Sequence, residues 1–133
     1  RKATVTLTSA DILALYDTPV EVVAAPGAGK WLNVHSVAAY YTFGTTQYTT
    51  TDLNGVVIGV PAVTTYGIPS GGAIGNITAA ASTAAAYPIV MDSNAASDIV
   101  DTAVSAFLDG MSFSDGDGTL TITIWYSIED VPA

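Results

Sequence analysis

The sequence predicts an all-β protein, a β-sandwich or jelly roll with one or two short helical turns, on three observations. In several segments apolar residues recur at every second position, the period of a strand with one buried face. Clusters of Gly, Pro, Asn and Asp separate those segments, as they do between short strands. Helical spacing is confined to brief stretches. About six to eight short strands joined by turns fit two packed antiparallel sheets. At 133 residues the chain is expected to form one domain over residues 1–133.

The segment ATVTLT (Ala3 to Thr8) alternates and should turn Val5 and Leu7 inward. In TSADILALYDTP, Ser9 is a plausible N-cap, Ile12, Leu13 and Tyr16 fall at helical spacing, and Pro19 is a stop, which predicts one or two helical turns. A strand follows over Val20 to Ala24, then the turn PGAGK, then a long strand from Trp31 to Phe43. In that strand Leu32, Val34, Ser36 and Ala38 alternate with Trp31, Asn33, His35 and Val37. The turn is expected to join the two strands as a hairpin.

The polar stretch GTTQYTTTDLNG ends in Asn54-Gly55, a hairpin dipeptide, and VVIGV is a short buried strand candidate. From Val63 to Ala86 the chain is Gly, Ser, Ala and Thr with few large side chains. It shows no amphipathic stripe, and reads either as a long surface excursion or as short strands packed on a partner. YPIVM is expected to be a strand. SNAASDIVDTAVSAFL suits a short helix capped by Ser93 or Asn94, with strand as the competing reading for its second half. The last strand is the strongest. Leu120, Ile122, Ile124, Tyr126 and Ile128 share one face, while Thr119, Thr121, Thr123, Trp125 and Ser127 share the other.

Charge narrows the functions. Three basic residues, Arg1, Lys2 and Lys30, stand against twelve acidic ones, a net charge of −9. Nucleic acid and anionic membranes require clustered Lys and Arg, so neither is an expected partner. Half the residues are hydrophobic and cysteine is absent. A core is therefore expected without disulfides, and thiol nucleophiles and iron–sulfur ligation are excluded. Charged residues make up only 11%, so the surface must be finished with Thr, Ser, Asn, Ala and Gly. Nothing in the opening residues argues for secretion, and no apolar run approaches the roughly 20 residues needed to cross a bilayer.

The candidate chemistry is sparse. AAPGAGKW ends in the Gly-Lys of a phosphate loop, but Ala24 stands where the first Gly belongs and Trp31 where the hydroxyl belongs. A strand also follows where the loop requires a helix. His35 is the lone histidine, mid-strand, with no nucleophile elbow in the chain, and is expected to be structural. One His and no Cys make zinc improbable. DGDG offers Asp115 and Asp117 as weak calcium candidates, although Thr119 takes the third ligand position and Tyr126 the twelfth. The acid pairs Asp98 with Asp101 and Glu129 with Asp130 read as solvated carboxylates. No catalytic residue and no cofactor is expected. Trp31, Tyr48 and Trp125 are the interface candidates, with Tyr40 and Tyr41 as further rings for a sugar-binding alternative.

The two ends of the chain carry a resemblance. VTLTSADILALYDTPVEVVAAPGAGKWLNVHSVAAYYTFGTTQYT at the start and GDGTLTITIWYSIED at the end resemble small structural proteins in the virions of tailed bacteriophages. The likeness covers roughly the first fifty residues and the last fifteen. It implies a capsid decoration (cement) protein on the outer surface of the head, bridging major capsid subunits, commonly as a homotrimer. Its setting would be the virion, assembled in the bacterial cytoplasm. The alternative it implies is a tail-tip or fibre module binding a receptor or glycan. Residues 42–54 and 63–86 would then make the contacts. The resemblance brings no catalytic residues.

Overall fold

In the computed structural model, residues 1–49, 56–60, 81–88, 100–108 and 112–132 are described. The elements are β1 (Lys2–Leu7), α1 (Ser9–Leu13), β2 (Val20–Val23), β3 (Lys30–Thr42), β4 (Tyr48–Thr49), β5 (Val56–Gly59), β6 (Thr83–Pro88), β7 (Val104–Leu108), β8 (Ser114–Asp115) and β9 (Thr119–Asp130). They form a four-stranded sheet in the order β1-β9-β3-β6, a three-stranded sheet β2-β7-β5 and the two-stranded ribbon β4-β8. Every ladder is antiparallel. The expected all-β class is found.

The alternation in β9 explains the core. Leu120, Ile122 and Ile124 are fully buried and join Leu7, Val37 and Tyr41 of the same sheet. Val23, Val56, Ile58, Val104 and Ala106 of the three-stranded sheet complete one cluster with them. Each fully buried Leu or Ile contributes about 1.5–3 kcal/mol, so the layered core holds without disulfides. Tyr126 and Ile128 pack on its margin.

Five local expectations need correction. The helix is capped by Thr8 rather than Ser9: the Thr8 side chain accepts from the Asp11 backbone while Asp11 reaches back to the Thr8 backbone, a reciprocal capping box. Its buried residue is Ile12, followed by Leu15 in the turn after it, whereas Leu13 and Tyr16 are exposed. The turn between β2 and β3 is not a hairpin, because β2 pairs with β7 and β3 with β9 and β6. It carries the chain from one sheet to the other. Gly27 (φ 106°) and Gly29 (φ 74°) supply the left-handed backbone there, and Asp101 accepts a hydrogen bond from the Gly27 N–H at 2.9 Å. In β3 the single alternation breaks at His35. Val34 pairs with Tyr126 and Ser36 with Trp125, so His35 is an extra, bulged residue. Leu32 and Val34 point inward before it, and Val37, Ala39 and Tyr41 after it, which turns Ser36 and Ala38 outward.

The remaining two concern the second half of the chain. Val104–Leu108 is a fully buried strand, so the strand reading of that stretch prevails over helix. The strand expected over YPIVM begins earlier, at Thr83, and Thr83–Ala86 of the Ala-rich excursion is paired with β3. The Asn54-Gly55 turn, residues 63–80 of the excursion and the Ser93/Asn94 cap lie outside the described residues, as does Asp98.

Tyr48 also changes role. It is fully buried, its hydroxyl donates to the Gly118 carbonyl at 2.6 Å, and its ring packs 6.2 Å from Tyr41 and 6.0 Å from Phe113. It is core, not contact surface. Gly118 is required beside it, since a Cβ there would stand 2.6 Å from the Thr42 carbonyl oxygen and from the Tyr41 ring.

Candidate functional site

The outer face of the four-stranded sheet gathers most of the singled-out residues, and the bulge at His35 divides it. Below the bulge the pairings set up cross-strand rows. Lys2, Trp125 and Ser36 form one; Thr4, Thr123, Ala38 and Ala86 the next; Thr6, Thr121, Tyr40 and Ala84 a third. Thr4 and Thr123 hydroxyls meet at 3.1 Å, and Thr6 and Thr121 at 3.0 Å. The rows carry Lys2 as their one charge and no carboxylate, in a chain with twelve. Tyr40 is 52% exposed and Trp125 40%. Beside Tyr40 lies a shallow, open depression of about 440 Å³, lined by residues that include Ala38, Ala84, Ala86, Thr121 and Thr123. Alanine floors it, so a partner backbone could approach closely.

Above the bulge the face is polar. Asn33 stands opposite Ser127 and Trp31 opposite Glu129. The Ser127 hydroxyl donates to Glu129 Oε1 at 2.6 Å, and His35 Nε2 lies 3.0 Å from Ser127 Oγ. With the hydroxyl proton given to the carboxylate, Nε2 is left to donate to Ser127. A serine hydrolase needs the reverse order, with histidine taking the serine proton and the acid holding the histidine. Here the acid holds the serine. Trp31 is half-buried against the core margin and bridges Val100, so Trp125 is the more available of the two tryptophans. Tyr41, by contrast, is fully buried and cannot meet a ligand.

The DGDG turn lies at the far end of the sheet and is used internally. Asp117 accepts from the Thr45 N–H at 2.8 Å, the Thr46 N–H at 2.9 Å and the Thr45 hydroxyl at 2.5 Å. These bonds, the Thr45 hydroxyl first, hold its carboxyl below the usual range. Asp115, at φ 56°, accepts from the Thr49 hydroxyl at 3.3 Å. Asp117 thus ties the turn to the loop before β4, and Asp115 ties β8 to β4 itself. Among the described residues no group of three or more His, Cys, Asp or Glu converges. Asp130 pairs with Lys30 at 2.6 Å, an exposed ion pair of little energetic weight, while its neighbour Glu129 serves Ser127.

The sequence named His35 and Glu129 separately but not their meeting at Ser127, since His35 and Ser127 are 92 residues apart. The outward position of Ser127 next to Trp125 was the available signal. Comparison of this chain with protein-family models, curated proteins and solved structures finds no match.

Proposed function

We propose that the protein is a non-enzymatic structural component of a phage virion, a capsid decoration protein that binds the outside of the head and bridges major capsid subunits. The observation that carries this reading is the lower half of the outer face. A strongly acidic chain holds one broad area free of carboxylates and finishes it with threonine, alanine and a tyrosine. Exposed faces of monomeric β-proteins are usually kept soluble by mixed charges. A face of small side chains with Lys2 as its one charge instead permits close approach of a neighbouring protein without repulsion between carboxylates. Assembly as a homotrimer belongs to the same proposal, with the neutral half facing the neighbour. Many modest contacts repeated over a shell would supply the hold, and no single strong anchor is needed.

The tail-borne receptor- or glycan-binding module is the second reading, favoured by the exposed rings of Tyr40 and Trp125. A density map of particles carrying the protein separates the two. The proposal expects copies distributed over the head with Thr121, Thr123 and Ala38 at the contact. A handful of copies at the tail would replace it with the second reading.

A further inference from the structure

We propose that the chain associates with copies of itself head to tail, the Lys2–Trp125 end of one copy's outer face docking on the α1 segment of the next. This contact rests on the homotrimer reading above and assigns the two surfaces that meet. Most charges are already engaged within the chain. Asp11 caps α1 at Thr8, Asp101 holds the Gly27 N–H, and Asp115 and Asp117 hold threonines. Glu129 takes the Ser127 hydroxyl and Asp130 pairs with Lys30. Among the described residues, Asp17 and Glu21 are then the carboxylates, and Arg1 and Lys2 the cations, with no side-chain partner.

The exposed large apolar side chains divide in the same way. Leu13 and Tyr16 stand beside Asp17, whereas Tyr40 and Trp125 stand on the outer face. There Lys2 lies opposite Trp125, with Ser36 on the other side of Trp125. Arg1 adjoins this row through its backbone bond with Tyr126. The carboxylate of the same face, Glu129, is further along β9, roughly 13 Å of strand away. The segment from Asp11 to Glu21, by contrast, holds three acids and no cation. Each surface thus combines exposed apolar side chains with unengaged charge, and the two signs are opposite.

Placement selects a second copy as the occupant. Lys2 opens β1 and α1 follows its far end, so about 20 Å of strand separates them. A two-fold contact of like surfaces would set Lys2 against Lys2 or Asp17 against Asp17. A head-to-tail contact sets cation against carboxylate and ring against ring at every junction, and it closes when the rotation between copies permits. Opposite charges placed this way fix register and suppress wrong pairings. The alanine-floored depression over β3 and β6 is left for the shell.

The test is sedimentation equilibrium of the purified full chain over a range of concentrations, with circular dichroism of every variant. The natural chain is expected to form a trimer. Arg1→Glu with Lys2→Glu should weaken association about tenfold or more, because like charges then face each other. Asp17→Lys with Glu21→Lys should weaken it similarly although it lowers the net charge, which separates a specific contact from general repulsion. The chain carrying all four substitutions reverses both surfaces and should associate as the natural chain does. Trp125→Ala should also weaken association, and it gives the reading if a charge variant does not fold. The proposal is overturned by a monomer at every concentration, by a folded variant of either surface that associates undiminished, or by a folded quadruple variant that stays apart. Attachment to phage heads is read separately by co-sedimentation. A monomer that still coats heads removes the head-to-tail contact and leaves decoration standing, whereas a trimer with the expected charge dependence that ignores heads does the reverse.

Discussion

The two faces of the four-stranded sheet are made by the same strands and obey different constraints. Inward, β9 presents Leu120, Ile122 and Ile124, all fully buried, where volume and shape decide what fits. Outward, the alternate positions Thr119, Thr121, Thr123 and Trp125 are half-covered or exposed. Threonine suits a strand through its branched β-carbon, and lysine or glutamate, though less favoured there, are tolerated at exposed positions. Stability alone therefore accounts for the inner face and leaves the choice of neutral residues outside unexplained. The proposed contact with a neighbouring protein would account for it.

The largest effect expected from this contrast is on stability. Ile122→Ala opens a cavity in the core and should cost about 2–5 kcal/mol. Its neighbour Thr123→Ala should stay within about 0.5 kcal/mol, despite losing the hydroxyl contact with Thr4. Denaturant unfolding of both variants measures the ratio. Equal costs would break the division between a structural and an adhesive face.

A smaller effect sharpens the picture inside the core, where two tyrosines differ by one hydrogen bond. Tyr48 donates to Gly118, so Tyr48→Phe should cost about 1 kcal/mol. The Tyr41 hydroxyl is buried with no partner among the described residues. Tyr41→Phe should therefore be neutral or stabilising by up to about 1 kcal/mol. The melting temperature should fall for Tyr48→Phe and stay level or rise for Tyr41→Phe.

The pH limits follow from the same end of the sheet. Burial foremost, then Tyr41 and then Asp117, push the Tyr48 phenol from the ordinary 10.0 up to about 12. Its raised value makes its contribution complete below about pH 10 and lost as the pH climbs through 12. Tyrosinate absorbance should therefore show a late fraction that appears together with unfolding. Asp117 shifts the other way. Its lowered carboxyl stabilises the fold above the ordinary value of 3.8 and loses that effect as the pH falls through the lowered one. The melting difference between the natural chain and Asp117→Asn should therefore shrink on acidification from about pH 5 to about pH 2. This is the smallest effect, because the carboxylate is exposed to solvent.

These contrasts also mark what the residue pattern made legible. Strict alternation in β9 was enough to assign both of its faces and the all-β class. The same rule failed in β3, because one bulged residue at His35 inverts the parity of everything after it, and no local residue type announces a bulge. PGAGK announced a change of direction but not its destination, since turn chemistry does not say which sheet receives the next strand. Tyr48 sits among threonines, and distant partners such as Phe113 and Gly118, the latter 70 residues later, make it core. The site suffered from the same separation. Trp125 could be placed outward by period alone, whereas the meeting of His35, Ser127 and Glu129 depends on the β3–β9 register.

The adhesive role of the neutral half is tested most directly by giving it charge. In the double variant Thr121→Arg, Thr123→Arg, two bulky cations stand on the alanine-floored depression while the core is untouched. The measurement is co-sedimentation of the purified natural chain and the variant with phage heads lacking the protein, alongside their unfolding curves. Unchanged unfolding, with binding by the natural chain and its loss in the variant, is the predicted result. Undiminished binding by a folded variant would contradict the account.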